Sequence, residues 1–300
     1  MEYEAVIQNV LDEIDRRINQ EITTEELARH AGYSLYHFSR VFANITGTPV
    51  GNYITRRKLE YALNDLLRGE KIIDVAMEYG FETHAGFTKA FHKFFGCPPS
   101  LYRLHMPSKS VEPATVETVR RGIKMHFEIK EIKPFTVAGY PSRHQLPGVS
   151  GIGDIPVFWD KINLDFAAGL STLHHSYTKS QHCETALCFD IDDEQGCFTY
   201  MVGVGVDEAD WDATGRPGVY LHQVKGGLYA VFTTPWVDED DYTQSIQDTW
   251  RQILEEWIPK AEYQYDDTRD AFEYYDERDH AWLHDGKSCM DIYIPIRGTK

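Results

Sequence analysis

Residues 87–103 read Phe-Thr-Lys-Ala-Phe-His-Lys-Phe-Phe-Gly-Cys-Pro-Pro-Ser-Leu-Tyr-Arg, and this stretch decides the fold of the first third of the chain. Phe87 and Phe91 are four residues apart, so they share one face of a helix and belong to its buried side. The pattern also stands 49 residues earlier, where Phe38-Ser-Arg-Val-Phe42 is followed by a glycine and a proline at the same spacing. The chain therefore contains two copies of one supersecondary unit.

Each copy has the outline of a helix-turn-helix. In the first copy, Thr23 and Glu26 fit a capping box, which predicts a short helix over residues 25–31. That helix ends at Gly32, and a second helix begins near Ser34. The second copy keeps the small residues of the turn at an offset of 48, which matches Ala28 with Ala76 and Gly32 with Gly80.

Two longer helices complete this block. Apolar residues recur at helical spacing from Ile7 to Ile18 and again from Val50 to Leu67. The second of these helices connects the two copies and stops at Gly69. The N-terminal domain is therefore predicted to be all-α, with two helix-turn-helix units.

The formal charge of −17 is unevenly spread. Residues 1–26 sum to −6, residues 27–110 to +5 and residues 111–300 to −16. An acidic total argues against nucleic acid as a partner, but the basic block removes that objection for the first third. Such asymmetry points to different partners for the two parts of the chain.

The remaining composition predicts a cytoplasmic protein. The chain has no apolar run near the roughly 18–20 residues that a membrane helix needs, and its acidic start is unlike a secretory signal. Five cysteines without paired spacing indicate reduced thiols. The histidines, cysteines and acids of residues 174–194 have neither zinc nor calcium spacing, so we predict no metal, no cofactor and no membrane partner.

From about residue 124 the apolar period changes to two, which is typical of strands. The order strand, strand, helix, strand, strand occurs twice, and Trp159-x-x-Ile162 recurs about 90 residues later as Trp250-x-x-Ile253. We predict an α+β domain of two duplicated halves with a cleft where they meet. The predicted strands are residues 125–130, 135–140, 185–191, 198–206, 219–224, 228–233, 271–275 and 289–296, and the predicted helices are residues 156–168 and 241–257.

Residues 107–122 contain two prolines and lack apolar periodicity, which indicates a linker. The expected organisation is a helical domain over residues 1–108, a linker over 109–122 and the α+β domain over 123–300.

Residues 5–105 resemble the DNA-binding domain of the AraC/XylS family. The resemblance rests on Leu27-Ala28-x-x-Ala31-Gly32-Tyr33-Ser34, on Arg40-Val41-Phe42 and on the stretch quoted first. It implies seven helices, two of which enter adjacent major grooves. On this likeness the first recognition helix presents Ser34, Tyr36, His37, Ser39 and Arg40, and the second presents Thr83, His84, Ala85, Thr88 and Lys89. Arg40 can pair with guanine, and Lys89 can reach guanine or phosphate.

Residues 122–300 resemble the GyrI-like small-molecule-binding domain, through Ile155-Pro156-x-Phe158-Trp159 and Phe272-Glu273-x-Tyr275-Asp276. The resemblance implies a cleft in which aromatic rings surround a glutamate, here Glu273, and ligands that are often lipophilic cations. The chemistry agrees, because a carboxylate among aromatic rings is costly to desolvate unless a cation joins it. The aromatic residues expected near Glu273 are Trp159, Tyr229, Trp236, Tyr275 and Tyr293.

The predicted function is transcription regulation in response to a small organic ligand, cationic or amphipathic. The expected partners are double-stranded promoter DNA, the effector and RNA polymerase, and the expected state is a monomer or weak dimer. We assign no catalytic residue. Two alternatives remain: Glu273 serves as general base in the hydrolysis of a small electrophile, or the second domain is a protein-interaction module without a ligand.

Overall fold

The computed structural model describes residues 2–106, 127–146, 155–164, 169–170, 173–174, 183–192, 194–206 and 218–298. These residues form two compact units, one of residues 2–99 and one of residues 100–106 with 127–298. The predicted linker over 109–122 lies outside the described residues. The expected first domain runs to residue 108, whereas the structure groups residues 100–106 with the second unit, where Tyr102 bonds to Leu254.

The described part of the first unit is helical, as predicted. Helices α2 and α3, and again α5 and α6, are the two helix-turn-helix units. The helices are α1 (Glu2–Arg16), α2 (Thr24–His30), α3 (Leu35–Thr46), α4 (Val50–Leu67), α5 (Ile72–Glu78) and α6 (His84–Phe95).

Local signals in the sequence set the ends of these helices. The Thr23 side chain accepts a hydrogen bond from the Glu26 backbone, and the Glu26 carboxylate accepts one from the Thr23 backbone, so the predicted capping box is confirmed. Gly47 and Gly96 end α3 and α6 with φ angles of 70° and 77°, a left-handed conformation that glycine adopts most easily. The same turn therefore follows both candidate recognition helices.

Buried aromatic rings and an ion pair between α1 and α4 stabilise the first unit. Phe38, Phe42, Phe87 and Phe91 are fully buried, as the sequence predicts. The guanidinium of Arg57 on α4 donates to both carboxylate oxygens of Asp15 on α1, at 2.7 and 2.8 Å. A bidentate pair of this kind is a strong and directional contact, so it fixes the connecting helix against the first one.

The second unit combines helices with an antiparallel sheet. Its helices are α7 (Pro99–His105, within the unit from residue 100), α8 (Ile155–Leu164) and α9 (Glu239–Gln252). The strands are β1 (Glu128–Ile132), β2 (Phe135–Gln145), β3 (Glu184–Asp192), β4 (Cys197–Val206), β5 (Tyr220–Val224), β6 (Gly227–Thr233), β7 (Val237–Asp238), β8 (Tyr263–Tyr265), β9 (Phe272–Tyr275), β10 (Lys287–Ser288) and β11 (Asp291–Gly298).

The strand order of the large sheet has the symmetry of the duplication. The order is β1-β6-β11-β9-β3-β4-β2-β5, with β8 added beside β11 and β7 paired separately with β10. The sequence repeat equates β1 with β5, β2 with β6, β3 with β9 and β4 with β11, so the order is equivalent from either end. The two halves therefore meet where β3 pairs with β9, and we call this pair the central seam.

The duplicated halves also exchange their first strands. β1 of the first half pairs with β6 of the second, and β5 of the second half pairs with β2 of the first. Each half thus completes the sheet of the other.

Two details differ from the sequence expectation. The predicted helix over 241–257 ends at Gln252 and continues as a π turn over Ile253–Trp257, because Pro259 lacks the N–H that a regular continuation needs. The short strands β7, β8 and β10 were not predicted, since two or three residues are too few to show a period. Among the described helices, none has both the length and the apolar character to cross a membrane.

Strands β2 and β4 approach closely where Gly139 faces Gly203. A Cβ at Gly203 collides with the backbone of Ala138 and Gly139, whereas a Cβ at Gly205 on the same strand meets nothing within 4 Å. We expect Gly203→Ala to lower the free energy of unfolding of the second unit by about 1–3 kcal/mol, and Gly205→Ala to change it by less than about 0.5 kcal/mol. Denaturant titration followed by tryptophan fluorescence checks this, because all six tryptophans lie within residues 159–282. Equal effects of the two substitutions contradict the close approach.

Candidate functional site

Glu273 lies at the central seam of the second unit. It stands on β9 directly opposite Ala186 of β3. Because side chains alternate along a strand, Glu273 and Tyr275 share one face of the sheet, while Phe272 and Tyr274 share the other. The carboxylate therefore projects from the middle of the sheet, where the two halves of the duplication join.

Two aromatic side chains donate hydrogen bonds to this carboxylate. Trp250 Nε1 of α9 donates to Glu273 Oε1 at 2.7 Å, and the Tyr275 hydroxyl donates to Oε2 at 2.8 Å. Both donors are buried, whereas Glu273 keeps partial solvent exposure. The carboxylate is thus held in one orientation by a donor on each oxygen.

Burial dominates the electrostatics of the site. It raises the pKa of Glu273, and the hydrogen bonds from Trp250 and Tyr275 offset part of this rise. Burial and the neighbouring Glu273 carboxylate together raise the pKa values of Tyr275 and Tyr200 well above the ordinary range of a phenol. Both phenols stay neutral at physiological pH, so they serve as hydrogen-bond donors and aromatic walls.

A second tryptophan reaches the seam from the other half of the duplication. The Trp159 ring of α8 meets the Tyr275 ring edge-on, with centroids 5.2 Å apart. Its Nε1 donates to the Tyr200 hydroxyl on β4 at 2.9 Å. Trp159 and Trp250 hold matching positions in the repeat, and each contacts a residue of β9: Trp159 meets Tyr275 and Trp250 bonds to Glu273.

The arrangement suits the binding of a cation. An ionised carboxylate has about four acceptor positions, and the hydrogen bonds from Trp250 and Tyr275 use two of them. The surrounding rings carry negative charge on their faces and attract cations. Among the described residues, no group of three or more histidines, cysteines or acids is arranged to hold a metal ion.

Three of the aromatic residues expected near Glu273 lie elsewhere. Tyr229 and Tyr293 are on the opposite face of the sheet, where they contact Phe272 at 5.5 and 4.5 Å between ring centroids. The strand pairing explains this, because Tyr293 is in register with Phe272 and Ile292 is in register with Glu273. Trp236 is 46% exposed and touches His284. Of the expected five, Tyr275 bonds to Glu273 directly, and Trp159 contacts the Tyr275 ring.

Trp250 and Tyr200 also lie at the site, although the sequence does not predict them there. The sequence pairs Trp250 with Trp159 only as a repeat position, and Tyr200 stands in a strand with no distinguishing motif. The repeat itself contained the signal, since a tryptophan at matching helix positions in both halves indicates a shared location at the seam.

The first candidate recognition helix, α3, presents an exposed polar surface. Tyr36, His37 and Arg40 are exposed, and Tyr36 retains 79% of its accessible area. The His37 ring packs edge-on against Tyr33 at 4.9 Å between centroids. Ser34 is the N-cap and accepts from the His37 backbone, while Ser39 donates to the Leu35 carbonyl at 2.8 Å. Helix α3 therefore leaves the large side chains of Tyr36 and Arg40 exposed, while His37 packs against Tyr33.

The second candidate recognition helix, α6, has the same frame with smaller side chains. Thr83 is its N-cap and accepts from the Gly86 backbone at 3.0 Å. His84, Ala85 and Lys89 are exposed, whereas the Thr88 hydroxyl is buried. Lys89 is thus a long basic side chain that α6 leaves exposed.

Two protein families match the chain. Residues 27–105 match the family described as "Helix-turn-helix domain", and residues 128–296 match the one described as "Integron-associated effector binding protein". The second match covers more than half of the chain.

Several regulators are similar in sequence. The HTH-type transcriptional activator AarP of Providencia stuartii is 36% identical over 101 residues, which are 33% of this chain and 75% of AarP. The Right origin-binding protein of Escherichia coli K12 is 29% identical over 245 residues, which are 78% of this chain and 79% of that protein. The regulatory protein SoxS of Salmonella typhimurium is 33% identical over 104 residues, or 34% of this chain and 97% of SoxS.

Solved structures also align with parts of the chain. A structure of SAV2435 bound to tetraphenylphosphonium aligns with 58% of this chain and 95% of its own, at 17% identity and a TM-score of 0.44. The DNA-binding domain of AdpA in complex with a target DNA aligns with 31% of this chain and 86% of its own, at 22% identity and a TM-score of 0.29.

The raised pKa of Glu273 predicts that its charge destabilises the ligand-free unit. The folded chain holds this proton more tightly than the unfolded chain does, so the free energy of unfolding falls as pH rises above the ordinary pKa of a glutamic acid. Gln keeps an acceptor for Trp250 and stays uncharged. We expect Glu273→Gln to raise the melting temperature at neutral pH, and the difference to vanish as pH falls to about 4. Thermal melting over a pH series measures it, and a lower melting temperature for the Gln chain at neutral pH contradicts it.

Proposed function

Because this chain belongs to the AraC-type transcription regulators and its second unit to the integron-associated effector-binding family, we propose that Glu273 receives a lipophilic organic cation and that α3 and α6 read promoter DNA. The observation that supports the ligand most directly is a partly exposed carboxylate fixed by Trp250 and Tyr275 among aromatic rings. Effector-controlled DNA binding follows from the family; the ligand class and the residues are our proposal.

The proposal of a cationic ligand rests on the free-energy cost of keeping the Glu273 carboxylate ionised in the ligand-free site. Burial already disfavours the charge on Glu273. A ligand that covers Glu273 further with apolar groups increases this cost unless it also carries a positive charge. The rings of Trp159 and Tyr275 attract such a charge through their π faces. The net charge of −16 over residues 111–300 adds a longer-range attraction for cations.

The proposal for DNA rests on charge and exposure in the first unit. Residues 27–110 have a net charge of +5, although the whole chain is acidic. Arg40 of α3 and Lys89 of α6 occupy the same position of the repeated unit, and both are exposed. Each helix therefore offers one long cation at an equivalent place. Contact with RNA polymerase, a monomeric or weakly dimeric state and a cytoplasmic location complete the proposal.

Arg40 should contribute to specific DNA binding. We expect Arg40→Ala to weaken binding to a duplex selected by the chain from random-sequence DNA by about 1–3 kcal/mol. Arg56→Ala is the matched control, because Arg56 is also an exposed arginine of the first unit but pairs with Glu60 on α4. Fluorescence anisotropy at fixed salt measures both affinities. Unchanged affinity for Arg40→Ala removes this residue from the interface.

Glu273 should discriminate by charge. We expect the chain to bind tetraphenylphosphonium and to reject tetraphenylborate, an anion of the same shape. Glu273→Gln should lower the affinity for the cation by roughly 30-fold, since a charge pair shielded from water loses one partner. Glu262→Gln, which removes an exposed carboxylate from the same unit, is the control, and calorimetric titration gives the affinities.

The outcomes of this titration also separate the alternatives. Equal loss of affinity for the cation and for neutral triphenylphosphine oxide makes Glu273 a structural residue. Tetraphenylphosphonium is inert to hydrolysis, so the hydrolase alternative needs its own measurement with an electrophilic ester. If the parent chain hydrolyses that ester and Glu273→Gln abolishes the hydrolysis, the result favours the hydrolase alternative.

A further inference from the structure

Helix α7 packs against the tryptophan that holds Glu273. The imidazole of His105 stacks on the indole of Trp250, with ring centroids 3.5 Å apart and planes at 10°. One turn earlier, the Tyr102 hydroxyl donates to the Leu254 carbonyl at 2.6 Å. Tyr102 therefore contacts Leu254 and His105 contacts Trp250. The two contacts are about one helical turn apart in both segments.

The contact between His105 and Trp250 is a contact of two uncharged rings. Burial lowers the pKa of the His105 imidazole to about 3, so the ring is neutral throughout the physiological pH range. Trp250 is 2% exposed and Tyr102 is 1% exposed. In a packed environment of this kind, one ring cannot shift without displacing the other.

Trp250 is thus shared between two groups. Its Nε1 donates to Glu273, and its ring face rests on His105. A cation that approaches Glu273 competes for the same carboxylate and covers the edge of the same indole. Occupancy of the site therefore acts on the ring that His105 touches.

Helix α7 is also tied to the DNA-binding unit through the chain. Only Gly96, Cys97 and Pro98 separate the end of α6 at Phe95 from the start of α7 at Pro99. The match to the helix-turn-helix family extends through residue 105. By sequence α7 thus belongs to the DNA-binding half, and from residue 100 it packs with the effector-binding half.

We propose that His105 and Trp250 transmit effector binding from Glu273 to α7, and through the three-residue connection to the second recognition helix. His105 acts as a coupling residue through its stacking on Trp250. The inference rests on the proposed function, because it takes Glu273 as the effector site. It adds the route by which occupancy changes DNA affinity.

The test measures, in the full chain, how binding of tetraphenylphosphonium changes the affinity for DNA. DNA affinity is determined with and without saturating tetraphenylphosphonium, and the ratio of the two affinities is the coupling factor. For the parent chain we expect a factor of about 5 or more, in either direction. His105→Ala should bring the factor to within about twofold of one, and His105→Phe, which keeps a neutral stacked ring, should retain it.

A buried substitution elsewhere separates coupling from stability. Val224→Ala removes methyl groups from the core on the opposite face of the sheet, so it should lower the melting temperature while the coupling factor stays at the parent value. A coupling factor for His105→Ala equal to that of the parent overturns the inference. So does an equal reduction in the Val224→Ala chain.

Failure of the proposed function gives a different result. If the parent chain binds no tetraphenylphosphonium, the effector site itself is wrong and the inference falls with it. If the parent chain binds the cation but its DNA affinity does not change, the site stands and the transmission through His105 is wrong. Loss of cation affinity in His105→Ala with an unchanged coupling factor assigns His105 to the shape of the site alone.

Discussion

The pairing of β3 with β9 is the constraint on which the second unit depends. This pair joins the two halves of the duplication, since the strands on either side of it are equivalent in order. It sets Ala186, a small residue, opposite Glu273. It also brings the two equivalent helices to one place, so that Trp159 and Trp250 approach the same seam. A single antiparallel register thus produces both the sheet and the site.

The orientation of the Glu273 side chain is fixed, but its ionised state is energetically unfavourable. Trp250 and Tyr275 fix Glu273 through both oxygens, while burial disfavours the ionised state that these bonds favour. Such a conflict between local energetics and geometry is typical of binding sites, where a group is kept because a ligand relieves its cost. This conflict is the reason for our proposal that the ligand at the central seam carries a positive charge.

Much of this structure could be predicted from the sequence. The capping box at Thr23, the glycines at 47 and 96, and the strand and helix order of both halves are local patterns, and the structure confirms them. The face that Glu273 shares with Tyr275 follows from strand alternation, whereas the choice of Glu273 as the central glutamate came from the resemblance to the GyrI-like domain.

What could not be predicted depends on pairing between distant segments. Tyr229 and Tyr293 were expected at the site, but the register of β6, β11 and β9 turns them to the other face. Trp250 was recognised as a repeat position and not as the donor to Glu273, because that bond joins residues 23 positions apart through tertiary packing. The grouping of residues 100–106 with the second unit has the same origin, since Tyr102 finds its partner 152 residues later.

The exchanged strands have a consequence for the order of folding. The helical unit is made of contacts close in sequence, whereas β1 finds its partner β6 only about 100 residues further on, at Glu128 and Val231. Contacts between distant segments form slowly, and domains of a growing chain fold from the N-terminus onward. During synthesis, the part that reads DNA is therefore complete before the part that controls it, and a newly made regulator passes through a period in which it is unresponsive to its effector.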